Sequence, residues 1–144
     1  MTYPRGIAYH EAGHAVVGWG LGLRVRISRV YYDDESGWKG DTQIADRSDL
    51  SLAQQIAICA AGYAAEQVFD CHAHELAALR DHAKIYTLLR AAEISEQNHP
   101  SRIAAANDLA RRLLLAHTGK VIALAERLIE YGYVHDASSF LRLR

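Results

Sequence analysis

His10-Glu11-Ala12-Gly13-His14 sits inside residues 7–19, a stretch whose other members read as helix. At 3.6 residues per turn, positions i and i+4 lie about 40° apart on one face, so both imidazoles can reach a single ion. Glu11 follows the first histidine and points toward the same space, where a carboxylate can take a proton from a metal-activated water. Ala12 and Gly13 are the smallest residues available and leave room beside the ion, although glycine costs about 1 kcal/mol of helix propensity relative to alanine. The flanks Ala15, Val16, Val17 and Trp19 make the helix apolar. Two merely exposed histidines need no such company, so the spacing predicts a metal-binding helix with a base beside the first ligand.

The chain's 144 residues suit one domain, 1–144, long enough to bury a core. Half of them, 50%, are hydrophobic, many being alanine, which suggests closely packed helices. The net charge is −1 with acids and bases interspersed, which argues against a nucleic-acid-binding stripe or a polybasic membrane anchor. Cys59 and Cys71 are too few for a disulfide scaffold and read as reduced thiols. The N-terminal residues do not form a signal peptide, because His10 and Glu11 interrupt any apolar core. The longest apolar stretch, 15–23, falls short of the roughly 18 residues a membrane span requires. A soluble, cytoplasmic chain is expected.

Pro4 suits the first turn of a helix, since its missing donor would be unpaired there anyway, and the helix is expected over 4–19. Alternating polar and apolar residues predict a strand over 24–32, an acidic turn at 33–37, and a returning strand over 38–44 interrupted at Gly40. The acidic turn lacks the spacing of a calcium loop and reads as a solvated hairpin. From Ser48, a good N-cap, Leu52, Ile56, Cys59 and Tyr63 mark a long helix to 69. Residues 71–74 break it. A further helix over 79–97 places Ala83, Tyr86 and Leu89 on one side and ends at His99-Pro100. Ser101 caps a fourth, to 116, with Ile103, Ala106, Ala110 and Leu113 inward; Thr118-Gly119 separates it from a fifth over 120–131, stopped at Gly132. The fold class is therefore α+β, mostly α-helical: a helical bundle with a small β-hairpin beside the motif helix.

A catalytic zinc site takes three protein ligands and keeps an open position. His10 and His14 supply two. Spacing leaves the third open among Glu66, Cys71, His72, His74, Asp81 and His82, with Cys71 least suited because thiolates favour closed structural sites.

Tyr9-His10-Glu11-Ala12-Gly13-His14-Ala15-Val16-Val17-Gly18 resembles the opening of the peptidase domain of FtsH, the ATP-dependent membrane zinc protease family. Gly40-Asp41-Thr42 is similar to that family's Gly-Tyr-Thr strand, and Ile56-Ala57 with residues 61–69 resembles its IAxxxGGRAAEExxFG helix. Ala78-Leu79-Arg80-Asp81 falls where the family has Ala-Ser-Asn-Asp, and residues 107–131 resemble its closing helices. The resemblance implies His10, His14 and Asp81 as ligands to Zn2+, Glu11 as general base, and Glu66 as a group that steadies a ligand from behind or replaces Asp81. His72 and His74 then read as loop histidines and His82 as a surface or packing residue.

The chain departs from the family at 75–80, at Tyr63 in place of an arginine, and at Gln67 in place of a glutamate. It begins at the peptidase helix, without a nucleotide-binding loop or transmembrane helices, so a free-standing peptidase domain or one whose ATPase motor is a separate chain is expected. The function implied is zinc-dependent hydrolysis of peptide bonds in unfolded or extended polypeptides, held by β-addition to the first strand or its hairpin partner. The alternatives are an inactive zinc-binding adaptor or assembly module that keeps the fold, and a zinc hydrolase for a small amide. The family's rings allow a homo-oligomer.

Overall fold

The computed structural model describes residues 5–73 and 75–144, so Pro4 and His74 lie outside the described residues. The motif helix α1 (Arg5–Gly20) is the centre of the molecule. Almost every residue from Gly6 to Gly18 is buried, and α1 touches both strands of the hairpin and, among the described residues, all the α-helices that follow it. A helix that is apolar on all sides has no solvent face to prefer and settles in the interior. The architecture is α+β and mostly helical, with a three-stranded antiparallel sheet.

β1 (Val25–Asp33) pairs with β2 (Gly37–Ile44), and β2 runs through Gly40 without a break. The predicted alternation in β1 changes phase. A register shift between Val25 and Ser28 turns Ser28 fully inward and leaves Ile27 half-buried. β3 (Tyr133–Val134), which follows the left-handed Gly132, flanks β1 on its other side, so the strand order is β2-β1-β3. The sequence pattern gives no sign of so short a strand.

α2 (Leu52–Val68) starts later than expected. Ser51, not Ser48, is the N-cap, and its hydroxyl and the Gln54 side chain satisfy each other's backbone N–H groups in a capping box. Its buried face is Ile56, Ala57, Ala60, Ala61, Ala64 and Ala65, whereas Tyr63 is exposed. Alanine lets α2 close on α1 and α4 together. Gly13 lies against Ala61 and Ala65 across this contact, so its small size serves helix packing and not, as the motif alone suggests, space beside an ion.

α3 (Glu75–Ala91) begins one turn earlier and ends sooner than predicted. Its inward stripe is Asp81, Ile85 and Leu89, at i, i+4 and i+8, while Ala83 and Tyr86 face out. His99-Pro100 opens α4 (His99–Ala116) instead of closing the helix before it. Proline is accommodated in a first turn because no partner exists there for an N–H. α4 buries Ala106, Ala110 and Leu114, with Ile103 and Leu113 half-buried. α5 (Thr118–Tyr131) includes Thr118 and Gly119, and α6 (Ala137–Arg142), capped by Asp136, closes the chain. α6 is too short for a periodic signal, yet Leu141 is fully buried. None of the helices among the described residues is long and apolar enough to cross a membrane.

The α1–α2 contact has no spare volume. Replacing Ala61 by Leu should destabilise the fold by about 1–3 kcal/mol through overpacking. Replacing the exposed Tyr63 by Ala should stay within about 0.5 kcal/mol of the parent. Urea denaturation of both variants measures the difference, and equal midpoints would contradict this packing.

Candidate metal centre

α1 presents His10 and His14 on one face, and the stripe of α3 brings Asp81 to them. His10 Nε2 lies 2.9 Å from Asp81 Oδ2, His14 Nε2 lies 3.1 Å from the same oxygen, and the two Nε2 atoms are 3.1 Å apart. His10 and Asp81 are buried and His14 is half-buried.

The opposite nitrogen of each ring is already committed. His14 Nδ1 lies 2.7 Å from the carbonyl oxygen of Ile58 in α2, and a carbonyl only accepts, so Nδ1 carries the hydrogen. His10 Nδ1 donates to Glu66 Oε2 at 2.7 Å, and Glu66 Oε1 accepts from the Ala73 N–H at 2.7 Å. Each neutral ring therefore turns a lone pair at Nε2 toward Asp81 Oδ2.

Three acceptors facing one another at these distances repel unless a cation lies among them. Their separations approach the roughly 3.3 Å expected between ligand atoms about 2.0–2.1 Å from a tetrahedral ion. His10, His14 and Asp81 thus form a group that could hold a metal ion.

Without a metal a proton takes the cation's place. Burial pulls the His10 ring down, but hydrogen bonds to Asp81 and Glu66, together with the charge of Glu11, outweigh it and hold the ring at about 10. Burial pushes Asp81 up, yet the hydrogen bond from the protonated His10 and the closeness of the His14 ring keep it well below the usual carboxylate range.

Glu11 occupies the adjacent wall. Its Oε1 accepts from the Thr42 hydroxyl at 2.7 Å, and the Ser28 hydroxyl lies 2.9 Å from that of Thr42. Burial raises the Glu11 carboxyl, opposed by the nearby His14 and His10 rings and by the Thr42 hydrogen bond. The strand approaches this carboxylate so closely that a Cβ at Gly40 would lie 2.5 Å from Glu11 Cγ. A Cβ at Gly62 would likewise run into the His10 ring, so α2 can pass behind that ligand only as glycine.

Of the candidates for a third ligand, only Asp81 joins the two histidines among the described residues. Glu66 stands behind His10. Cys71 is buried, and His72 and His82 are exposed, all outside the group. Cys59, which borders the same cavity, is pushed up to about 11 by burial and by Asp81, so it stays a thiol at neutral pH. The motif points neither to Thr42 and Ser28 nor to the glycines at 40 and 62. Ser28 carries no local signal either: alternation from Val25 and Ile27 puts it on the outward, polar set, and the register shift in β1 turns it inward.

A cavity of about 310 Å3 opens in front of these groups, bordered by Trp38, Gly40 and Thr42 of β2 and by Arg80, Asp81 and Lys84 of α3. Fold and site define a mostly helical α+β protein with a His-His-Asp group at the wall of a cleft. No protein-family model matches the chain, and no curated protein matches it significantly.

Two outcomes follow from this geometry. The metal-free folded state binds a proton at His10 more tightly than the unfolded chain, the ring rising from 6.5 to about 10. Its contribution to stability is therefore complete below pH 6.5 and is lost as pH rises through about 10. Thermal melts of chelator-treated protein across that range should show a falling midpoint, and a flat or rising one contradicts the cluster. Replacing Glu66 by Gln should weaken metal affinity by roughly 10–100-fold, because the His10 ring loses a charged partner. Competition against a chromogenic chelator measures it, and unchanged affinity removes Glu66 from the site.

Proposed function

We propose that this chain is a zinc metallopeptidase-like domain that hydrolyses peptide bonds of unfolded or extended polypeptides. The observation that carries this reading is the convergence of His10 Nε2, His14 Nε2 and Asp81 Oδ2 on one point next to a buried carboxylate, Glu11. Nitrogen and carboxylate donors of this kind suit zinc in a catalytic setting, where three protein ligands leave a position for water or substrate. The likeness of residues 9–18 to the opening of the FtsH peptidase domain supports the same class.

A zinc ion in this group supplies Lewis acidity, bringing the pKa of water toward about 7 and polarising a carbonyl. The chain's own residues handle the proton. Glu11, made more basic by its burial, removes it from the attacking water and returns it to the leaving amine. Thr42 holds Oε1 and fixes the plane of the carboxylate, while Ser28 in turn steadies Thr42.

An extended substrate fits the strand arrangement. β1 is flanked on both sides, so of the two strands named from sequence β2 has the outer edge, and it borders the cleft. Backbone pairing along that edge would hold a peptide without selecting its sequence.

Replacing Glu11 by Gln tests the assignment. The variant should still bind about one zinc per chain, while cleavage of a fluorogenic unstructured peptide falls by roughly 10²–10⁴-fold. Cleavage at the parent rate removes Glu11 from the chemistry. A zinc-loaded parent protein inactive on a broad library of unstructured peptides would instead favour an adaptor that retains the fold.

A further inference from the structure

Two cations of α3 stand over the cleft with no acid to answer them. Arg80 and Lys84 border it, both are exposed, and neither takes part in an ion pair among the described residues. Four positions apart, they lie about 40° from each other on one face of the helix, close enough for both to reach one group. Arg80 is next in sequence to Asp81, so this face adjoins the one that completes the His-His-Asp group. The other charges along the cleft are committed. Lys39 and Asp41 alternate with Gly40 and Thr42, border the cleft from the other face of β2, and pair with Asp33 and Arg29. Glu11 is held by Thr42, and Asp81 lies against both histidines. Asp46 borders the adjoining cavity together with Lys84, but no ion pair joins them among the described residues. The Ala-Ser-Asn-Asp pattern that residues 78–81 resemble has a neutral asparagine where this chain has Arg80, so the doubled charge belongs to this chain and not to the resemblance.

Resting on the peptidase reading above, we infer that Arg80 and Lys84 form an anion-binding rim that selects extended polypeptides carrying a carboxylate close to the bond under attack. In a polypeptide that group is an Asp or Glu side chain or the free C-terminus. The guanidinium takes a carboxylate through two parallel N–H···O bonds, and the ammonium adds a second charge from one turn away. Backbone pairing to β2 is indifferent to sequence, so the discrimination comes from α3. A lysine or arginine in the same place meets two like charges.

The test separates binding from cleavage. Zinc-loaded protein with Glu11→Gln is titrated at low salt with rhodamine-labelled unstructured decapeptide amides that differ at one central residue, Glu, Gln or Lys. A shorter peptide ending at the central Gln is compared as free acid and as amide. Fluorescence anisotropy should show a carboxylate binding about fivefold more tightly than its neutral counterpart, and Lys more weakly than Gln, with both differences shrinking as NaCl is raised. A gain from the central Glu alone assigns the rim to acidic side chains, and a gain from the free acid alone assigns it to chain ends. Arg80→Gln with Lys84→Gln should erase the preference, Arg80→Glu with Lys84→Glu should turn it toward Lys, and the charge-conserving Arg80→Lys with Lys84→Arg should keep it. Mass spectrometry of the parent's products should place a carboxylate near the cut. Equal binding of carboxylate and neutral peptides, a preference that survives the double Gln change, or one lost equally in the charge-conserving variant overturns the rim. Cleavage without acidic bias overturns the rim and leaves the peptidase reading standing. Carboxylate preference in binding with no cleavage by the parent keeps the rim and removes the peptidase reading. Absence of both binding and cleavage removes both.

Discussion

The arrangement of the site depends on two hydrogen bonds made by the wrong ends of its histidines. His14 Nδ1 gives its hydrogen to the Ile58 carbonyl and His10 Nδ1 gives its own to Glu66, both at 2.7 Å. Those bonds choose the tautomer of each ring and hold its plane, so that both Nε2 lone pairs meet at Asp81. A histidine whose far nitrogen were solvated could rotate or exchange tautomers, and the i, i+4 spacing alone would then define only a neighbourhood. Both partners lie on α2. The helix behind the motif therefore does as much to shape the His-His-Asp group as the motif itself.

This dependence explains the unusual composition of the α1–α2 contact. α2 must come close enough for a main-chain carbonyl and a short carboxylate to reach two imidazoles, so its near face is alanine, with Gly62 under the His10 ring. Larger residues would bury more apolar area but would hold the helices apart. The missing burial is offset around α1, which is enclosed by the sheet and by α5, α4 and α6. Stability and site geometry are set by the same interface.

Glu11 is treated in the opposite way. The two histidines are tied by charged or main-chain partners, whereas this carboxylate is enclosed by a strand and touched by one hydroxyl relay, Ser28 to Thr42. Burial favours its protonated form while the adjacent rings favour the charged one, so its affinity for a proton is balanced between opposing effects. Such a balance suits a group that takes up a proton and gives it back. Gly40 allows β2 to press on the carboxylate and so couples the sheet edge to Glu11.

The sequence by itself determined what short-range geometry controls. The spacing of His10 and His14 on a helix, the Glu11 carboxylate next to the first of them, the hairpin, the long helices and the mostly helical α+β class all follow from periodicities within a single element. Helix ends were less legible: Ser48 and Ser51 are equally good caps by type, and the choice fell to Gln54 three residues after Ser51. His99-Pro100 stops one helix or starts another, and local signals do not separate the two. Periodicity and spacing left the third member open and the family resemblance pointed to Asp81; the tertiary structure brings that residue, 67 positions from His14, to the two histidines. It does so because the buried stripe of α3 is Asp81-Ile85-Leu89, a pattern that counts an acid among its inward positions. Tertiary packing also recruited Ser28, through a shift of strand register that no alternation rule anticipates, and made room at residues 40 and 62 for side chains that arrive from a different element. Contacts between distant segments depend on how whole faces fit together, and that information is spread over the chain in place of being written at any one stretch.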